Sequence, residues 1–121
     1  MEYKVNKRKL GGDMEKKAVE YLKKNGYTIR NINYTCNAGE IDIIGENEGY
    51  LCFIEVKYRS GLRDGYPEEA VDRKKAGRIS RSALYYLNYC GLSEDVPCRF
   101  DVIAILGDDI KLIKNAFEAV L

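Results

Sequence analysis

Carboxylates and a lysine stand inside two apolar runs of this chain, Gly39-Glu40-Ile41-Asp42-Ile43-Ile44 and Phe53-Ile54-Glu55-Val56-Lys57. A strand interior is unfavourable for charge, because desolvating an ion costs several kcal/mol unless a partner compensates it. Two neighbouring runs that both break this rule suggest that their charges share a purpose. Asp42 and Glu55 are hard oxygen donors suited to Mg²⁺ or Mn²⁺, and Lys57 is a fixed donor beside them. Together they are the residue types that hold a divalent ion against a phosphodiester.

Strand alternation decides which of these side chains travel together. In the second run Leu51, Phe53, Glu55, Lys57 and Arg59 share one face, while Cys52, Ile54, Val56 and Tyr58 share the other. Glu55 and Lys57 are therefore about 7 Å apart on one face. In the first run Ile41 and Ile43 face one way and Glu40 and Asp42 the other. Glu46-Asn47-Glu48-Gly49 reads as the hairpin turn between them. A turn centred on residues 47–48 places Asp42 opposite Phe53, and one centred on 48–49 places it opposite Glu55. Both registers keep Asp42, Glu55 and Lys57 on one face, with opposed side chains about 5 Å apart. Carboxylates that close repel each other unless a cation or a proton intervenes. An ion-pair ladder, with Lys57 neutralising Glu55 or Glu40, is the other reading the spacing allows.

The elements that must position this set follow from punctuation and periodicity. Residues 1–10, with Lys4, Lys7, Arg8 and Lys9, read as a basic N-terminal arm, and residues 11–121 as a single domain. Asp13 can cap a helix from Met14 to about Asn25, ended by Gly26. Its apolar stripe is Met14, Ala18, Tyr21 and Leu22, with Val19 beside it. Glu15 borders that stripe, and it also reads as a solvated glutamate favoured by the helix dipole. Strands are expected over 27–34, 40–45, 50–59, 99–106 and 110–115. A long helix opens at Pro67 and runs to about Tyr89. The order α-β-β-β-α-β-β defines an α/β architecture, a central sheet flanked by helices.

With 45% hydrophobic and 32% charged residues, the chain belongs with ordinary globular domains rather than disordered ones. A net charge of +1 gives no global field for nucleic acid, so any basic surface must be local. No apolar run approaches a bilayer span and the N-terminus lacks a signal-peptide core, so no membrane partner and a cytoplasmic location are expected. The absence of histidine excludes imidazole triads and the common zinc hydrolase sites. Cys36, Cys52, Cys90 and Cys98 form no C-x-x-C pair and read as buried or incidental thiols, against a zinc site or disulfides.

In the second helix Lys74, Arg78 and Arg81 fall on one stripe continued by Tyr85, opposite Ala76, Ile79, Ala83 and Leu87. Such a stripe could follow a phosphate backbone, or be a solvated helix face. The loop Ser60–Tyr66 leaves the charged strand just after Arg59 and could grip a substrate.

These residues resemble the PD-(D/E)XK nuclease superfamily, whose core motif is an acid, a spacer, then acid-x-lysine on the next strand. The whole chain is similar to the YraN-like bacterial family, itself similar to archaeal Holliday junction resolvases. The matching segments are Glu15-x-x-Ala18-x-x-Tyr21-Leu22, Gly26-Tyr27, Gly39-Glu40-Ile41-Asp42, Phe53-Ile54-Glu55-Val56-Lys57-x-Arg59, Lys74 and Arg99-Phe100-Asp101-Val102. Ile41 stands where the superfamily motif has proline. The resemblance implies a restriction-endonuclease-like fold, with a mixed sheet and a helix on each side. It implies that Asp42, Glu55 and the Val56 backbone carbonyl ligate Mg²⁺ (or Mn²⁺), that Lys57 positions the attacking water, and that Glu15 is an additional acid. Glu40 is a further candidate acid. Arg59, Lys74, Arg78 and Arg81 would contact nucleic acid. The implied activity is hydrolysis of phosphodiester bonds in branched or junction DNA, and cutting a symmetric junction would call for a homodimer. The alternative is a non-catalytic nucleic-acid-binding protein that keeps the fold.

Overall fold

A computed structural model describes residues 7–67 and 71–120. Two helices and five strands follow in the expected order: α1 (Lys7–Lys24), β1 (Thr28–Cys36), β2 (Gly39–Asn47), β3 (Tyr50–Arg59), α2 (Arg73–Tyr89), β4 (Cys98–Leu106) and β5 (Asp109–Phe117). They form one five-stranded sheet in the order β1-β2-β3-β4-β5, antiparallel except for the parallel pair β3–β4. The parallel pair arises because β3 and β4 are joined through α2, a crossover long enough to return the chain to the same end.

One helix covers each face. Ala18 and Leu22 of α1 pack on Tyr27, Ile43, Cys52, Ile54, Ile103 and Ile105. Ile79, Ala83, Tyr86 and Leu87 of α2 pack on Ile41, Ile44, Leu51, Phe53 and Phe100. β4 is buried along almost its full length, as a central strand covered on both faces should be. This is the α/β arrangement expected of a restriction-endonuclease-like fold.

Both helix starts differ from the sequence expectation. α1 begins at Lys7 rather than Met14, continuing through Gly11 and Gly12, which disfavour a helix by about 1 kcal/mol each but do not forbid it. Lys7–Leu10 of the expected arm are thus helical, and residues 1–6 lie outside the described residues. α2 begins at Arg73 rather than Pro67, because Asp72 is the better start: its side chain accepts the Lys75 N–H at 2.8 Å. Pro67 is instead a buried packing residue.

The β2–β3 turn is the two-residue Glu48-Gly49, with φ of 52° and 82°, and Asn47 pairs with Tyr50. Positive φ at both positions matches the twist of the flanking strands. This is the second of the two registers considered, the one that brings Asp42 towards Glu55. At Gly45 a Cβ would lie 2.8 Å from the Thr28 carbonyl oxygen, so the edge strand β1 can approach only a glycine. A register shift between Ile29 and Asn31 of β1 lies beside it.

Candidate active site

β2 and β3 pair only as far as Ile43 and Ile54; beyond that β2 leaves the ladder. At the fork Asp42 takes over a backbone role, its Oδ2 accepting the Val56 N–H at 2.8 Å. Simple alternation fails here. Ile41 and Ile43 were expected on one face, but Ile41 packs in the cluster under α2 and Ile43 in the cluster under α1. The carboxylate of Asp42, drawn towards β3 between them, accounts for the slip. In an antiparallel ladder a residue that directs its N–H at a partner strand directs its C=O there too. The Val56 carbonyl therefore faces the same fork, with no β2 residue paired to it.

Glu55 is buried beside the fork, close enough for its charge to act on Asp42. Burial, then the neighbouring Glu55 charge, push the Asp42 carboxyl up to about 7, against the opposing effect of the Val56 N–H. Near neutral pH Asp42 can therefore hold a proton, or a cation can take its place.

Two lysines meet Glu55 from different elements. Its Oε1 lies 3.2 Å from Lys57 Nζ on the same strand and 3.0 Å from Lys75 Nζ at the start of α2. Their electrostatics diverge. Burial pulls Lys57 below the usual ammonium range, and Lys75 beside it adds to the fall, although Glu55 opposes it. Burial also works against the Lys75 charge, but Glu55 outweighs it and holds Lys75 above its usual range. Lys57 is the lysine closer to giving up a proton, and Lys75 is the fixed positive charge.

Lys75 is the residue the sequence reading missed in favour of Lys74. Its signal was present: it stands four positions before Ile79, on the flank of the buried stripe. Lys74, Arg78 and Arg81 are exposed and make no ion pair among the described residues, so their stripe faces solvent. Arg59 continues the Glu55–Lys57 strand, and its Nε is a buried donor without an acceptor among the described residues.

The remaining acids are not drawn into the pair. Glu15 accepts a hydrogen bond from Asn33 Nδ2 at 2.8 Å. Partial burial raises its carboxyl, Asn33 offsets this, and Glu40 adds to the rise. The exposed Glu40 also contributes to the Asp42 shift, so it stands electrostatically between Glu15 and the pair. Among the described residues no group of three or more acids or thiols converges to hold an ion. Two carboxylates and a carbonyl are nevertheless an adequate protein share for Mg²⁺, which keeps several waters and binds through one or two carboxylates.

Gly39 fixes how closely α2 approaches β2. A Cβ there would lie 3.5 Å from Ser82 Oγ, a buried hydroxyl with no hydrogen-bond partner among the described residues, and its φ of 146° is one side chains rarely adopt. The glycine before Glu40-Ile41-Asp42 thus lets the helix seat beside the fork. All four cysteines are free thiols, and burial pushes Cys52 up to about 12. No helix among the described residues is long and apolar enough to cross a membrane.

Fold and site together describe an α/β domain with a two-carboxylate, two-lysine cluster where its sheet forks. Residues 14–105 match the Uncharacterised protein family UPF0102, and the chain belongs to that family. It is 49% identical to a UPF0102 protein of Lachnoclostridium phytofermentans, over 95% of this chain and 98% of the relative. It is 45% identical to one from Acetivibrio thermocellus, over 94% and 95% of the two chains. A Fusobacterium nucleatum relative is 44% identical, over 92% of each.

Proposed function

We propose that this protein is a Mg²⁺- or Mn²⁺-dependent endonuclease of the PD-(D/E)XK type, acting on structured DNA. The observation that carries the reading is the convergence of Asp42 and Glu55 at a strand fork, with Lys57 3.2 Å from Glu55. Asp42, Glu55 and the Val56 carbonyl would hold the ion. When bound, such an ion lowers the pKa of a coordinated water and neutralises charge developing on a phosphate.

The chain's own residues do the rest. Asp42, raised to about 7, would release its proton in favour of a cation near neutral pH, with Glu55 beside it as the second carboxylate ligand. Lys57, whose charge burial disfavours, orients the attacking water and can exchange a proton with it. Lys75 stays charged and stabilises the phosphate oxygens as negative charge grows. Arg59 offers its Nε, unpartnered among the described residues, to the same phosphate strand. Lys74, Arg78 and Arg81 hold the backbone further along α2.

One observation favours the second reading, a nucleic-acid binder that keeps the fold without cutting. Glu55 Oε1 already engages both lysines, which neutralise it without a metal. A cleavage panel separates the two. Branched, flapped and single-stranded DNA and RNA are incubated with Mg²⁺ or Mn²⁺, using wild type, Asp42→Ala and Glu55→Ala. Metal-dependent cutting that falls at least about a hundredfold in both variants is expected, as when a principal electrostatic contributor is removed. Cutting that survives both would sink the site assignment, and binding without cutting across the panel would establish the second reading.

A further inference from the structure

The exposed stripe of α2 changes chemistry along its length. At 3.6 residues per turn, Lys74, Arg78, Arg81, Tyr85 and Tyr89 fall within an arc of about 80°. The first three are cations and the last two are aromatic. Tyr85 is 46% exposed and Tyr89 77%, the latter the most exposed of the large hydrophobic residues. Buried tyrosines of this chain behave differently: the Tyr27 and Tyr86 hydroxyls are paired to Asp101 and Asn31 at 2.7 Å each. Tyr85 makes no hydrogen bond or ring contact among the described residues. Tyr89 has one ring contact among the described residues, with Tyr34 of edge strand β1, at 6.3 Å and tilted by 46°. Tyr34 in turn sits edge-on to the buried Tyr86 at 5.1 Å, which anchors this end of the surface to the core.

We infer that Tyr85 and Tyr89 form a base-stacking platform, so that the site takes nucleic acid with an unpaired arm rather than uninterrupted duplex. The inference rests on the nuclease reading for the site it extends. Cations that track phosphates, followed by rings that present flat faces, suit a single strand, whose bases are free to stack. In duplex the bases are already stacked and the rings have nothing to receive. A second copy of this chain fits less well, because the stripe's cations would then face their own kind.

Lys75 fixes the scale. It touches Glu55 and sits on the flank of the stripe, so a strand leaving the site can run along α2. Tyr85 and Tyr89 lie about 15 and 21 Å further along the helix axis at 1.5 Å per residue. At about 3.4 Å per stacked nucleotide, that span is roughly four to six nucleotides.

Fluorescence anisotropy of the full chain tests this without metal, so that nothing is cut. The probes are one labelled duplex with single-stranded arms of zero, two, four, six and ten nucleotides, and a six-residue arm of abasic sugar-phosphate. Affinity is expected to rise by about fivefold or more as the arm reaches roughly six nucleotides, the lower end of what base–ring stacking supplies. The abasic arm should lose that gain. The double variant Tyr85→Ala/Tyr89→Ala should lose it too, while Tyr85→Phe/Tyr89→Phe keeps it. An abasic arm that binds as well as a normal one, or a gain that survives the double alanine change, overturns the platform and leaves the nuclease reading to its own cleavage test. No binding to any probe would overturn the platform, and the cleavage panel would still decide the nuclease reading. Conversion of a dimer to a monomer by Tyr89→Ala, seen by sedimentation, would make this a self-association surface and overturn the inference.

Discussion

Two aspartates of this molecule lie in the sheet, Asp101 fully buried and Asp42 half-buried, and their surroundings could hardly differ more. Asp101 of β4 is fully buried and fully satisfied. Its Oδ1 accepts from Arg99 Nε at 2.8 Å and from the Asn115 N–H at 2.9 Å. Its Oδ2 accepts from the Tyr27 hydroxyl at 2.7 Å and from an Arg99 terminal nitrogen at 2.9 Å. That nitrogen also reaches Asn47 Oδ1 at 2.8 Å, tying α1's exit, the β2–β3 turn and β4 together. Asp101 holds Arg99 above its usual range, and burial followed by Asp101 does the same for Tyr27. Asp42 has one backbone N–H and, as its nearest charge, another acid. Placing a carboxylate in the sheet therefore does not by itself decide its role. A charge matched by fixed donors locks structure, and a charge left facing its own sign waits for a proton, an ion or a substrate.

Breaking the matched region should have the largest effect on stability. Asp101→Ala leaves Arg99 buried and unpaired, and should destabilise the fold by about 3–5 kcal/mol in urea unfolding. Asp42→Ala should cost far less, since it also removes a repulsion. Equal losses from the two changes would erase the contrast.

The next effect is smaller and follows pH. The Asp42 carboxyl rises from 3.8 unfolded to about 7 folded, so between those values the folded state holds more protons. With metal chelated, stability should fall as pH rises through this window, by no more than about 1.4 kcal/mol per unit, and level off above it. Unfolding at pH 5 and pH 8 measures the change, and Asp42→Asn should flatten it. An unchanged slope in that variant would remove Asp42 as the source.

The smallest expected effect is ligand linkage. Mg²⁺ at ten times its dissociation constant should stabilise the protein by about 1.4 kcal/mol. A thermal melt should show the rise in wild type and none in Asp42→Asn. A rise shared by both would place the ion elsewhere.

Much of this was legible in the chain. The order of the elements followed from punctuation and the face pattern of β3 from alternation, and β3 has the expected bounds. The Glu55–Lys57 pairing followed from i, i+2 spacing alone. Local reasoning failed at the helix starts, where Asp72 offered a cap that Pro67 could not, and glycines at 11 and 12 did not stop α1. It failed again at Ile41, because the fork that breaks alternation depends on where β2 leaves β3.

The sequence by itself determined which charges lie in apolar strands, that Glu55 and Lys57 share a face, and that α2 carries a solvent-facing basic stripe. These are consequences of backbone period, which each segment carries within itself. Only the tertiary structure decided that Asp42 joins Glu55 while Glu15 stays with Asn33 and Glu40, and that Lys75 rather than Lys74 reaches the acids. Those choices depend on the turn register and on how closely α2 seats against Gly39, and both are set by packing between segments distant in the chain.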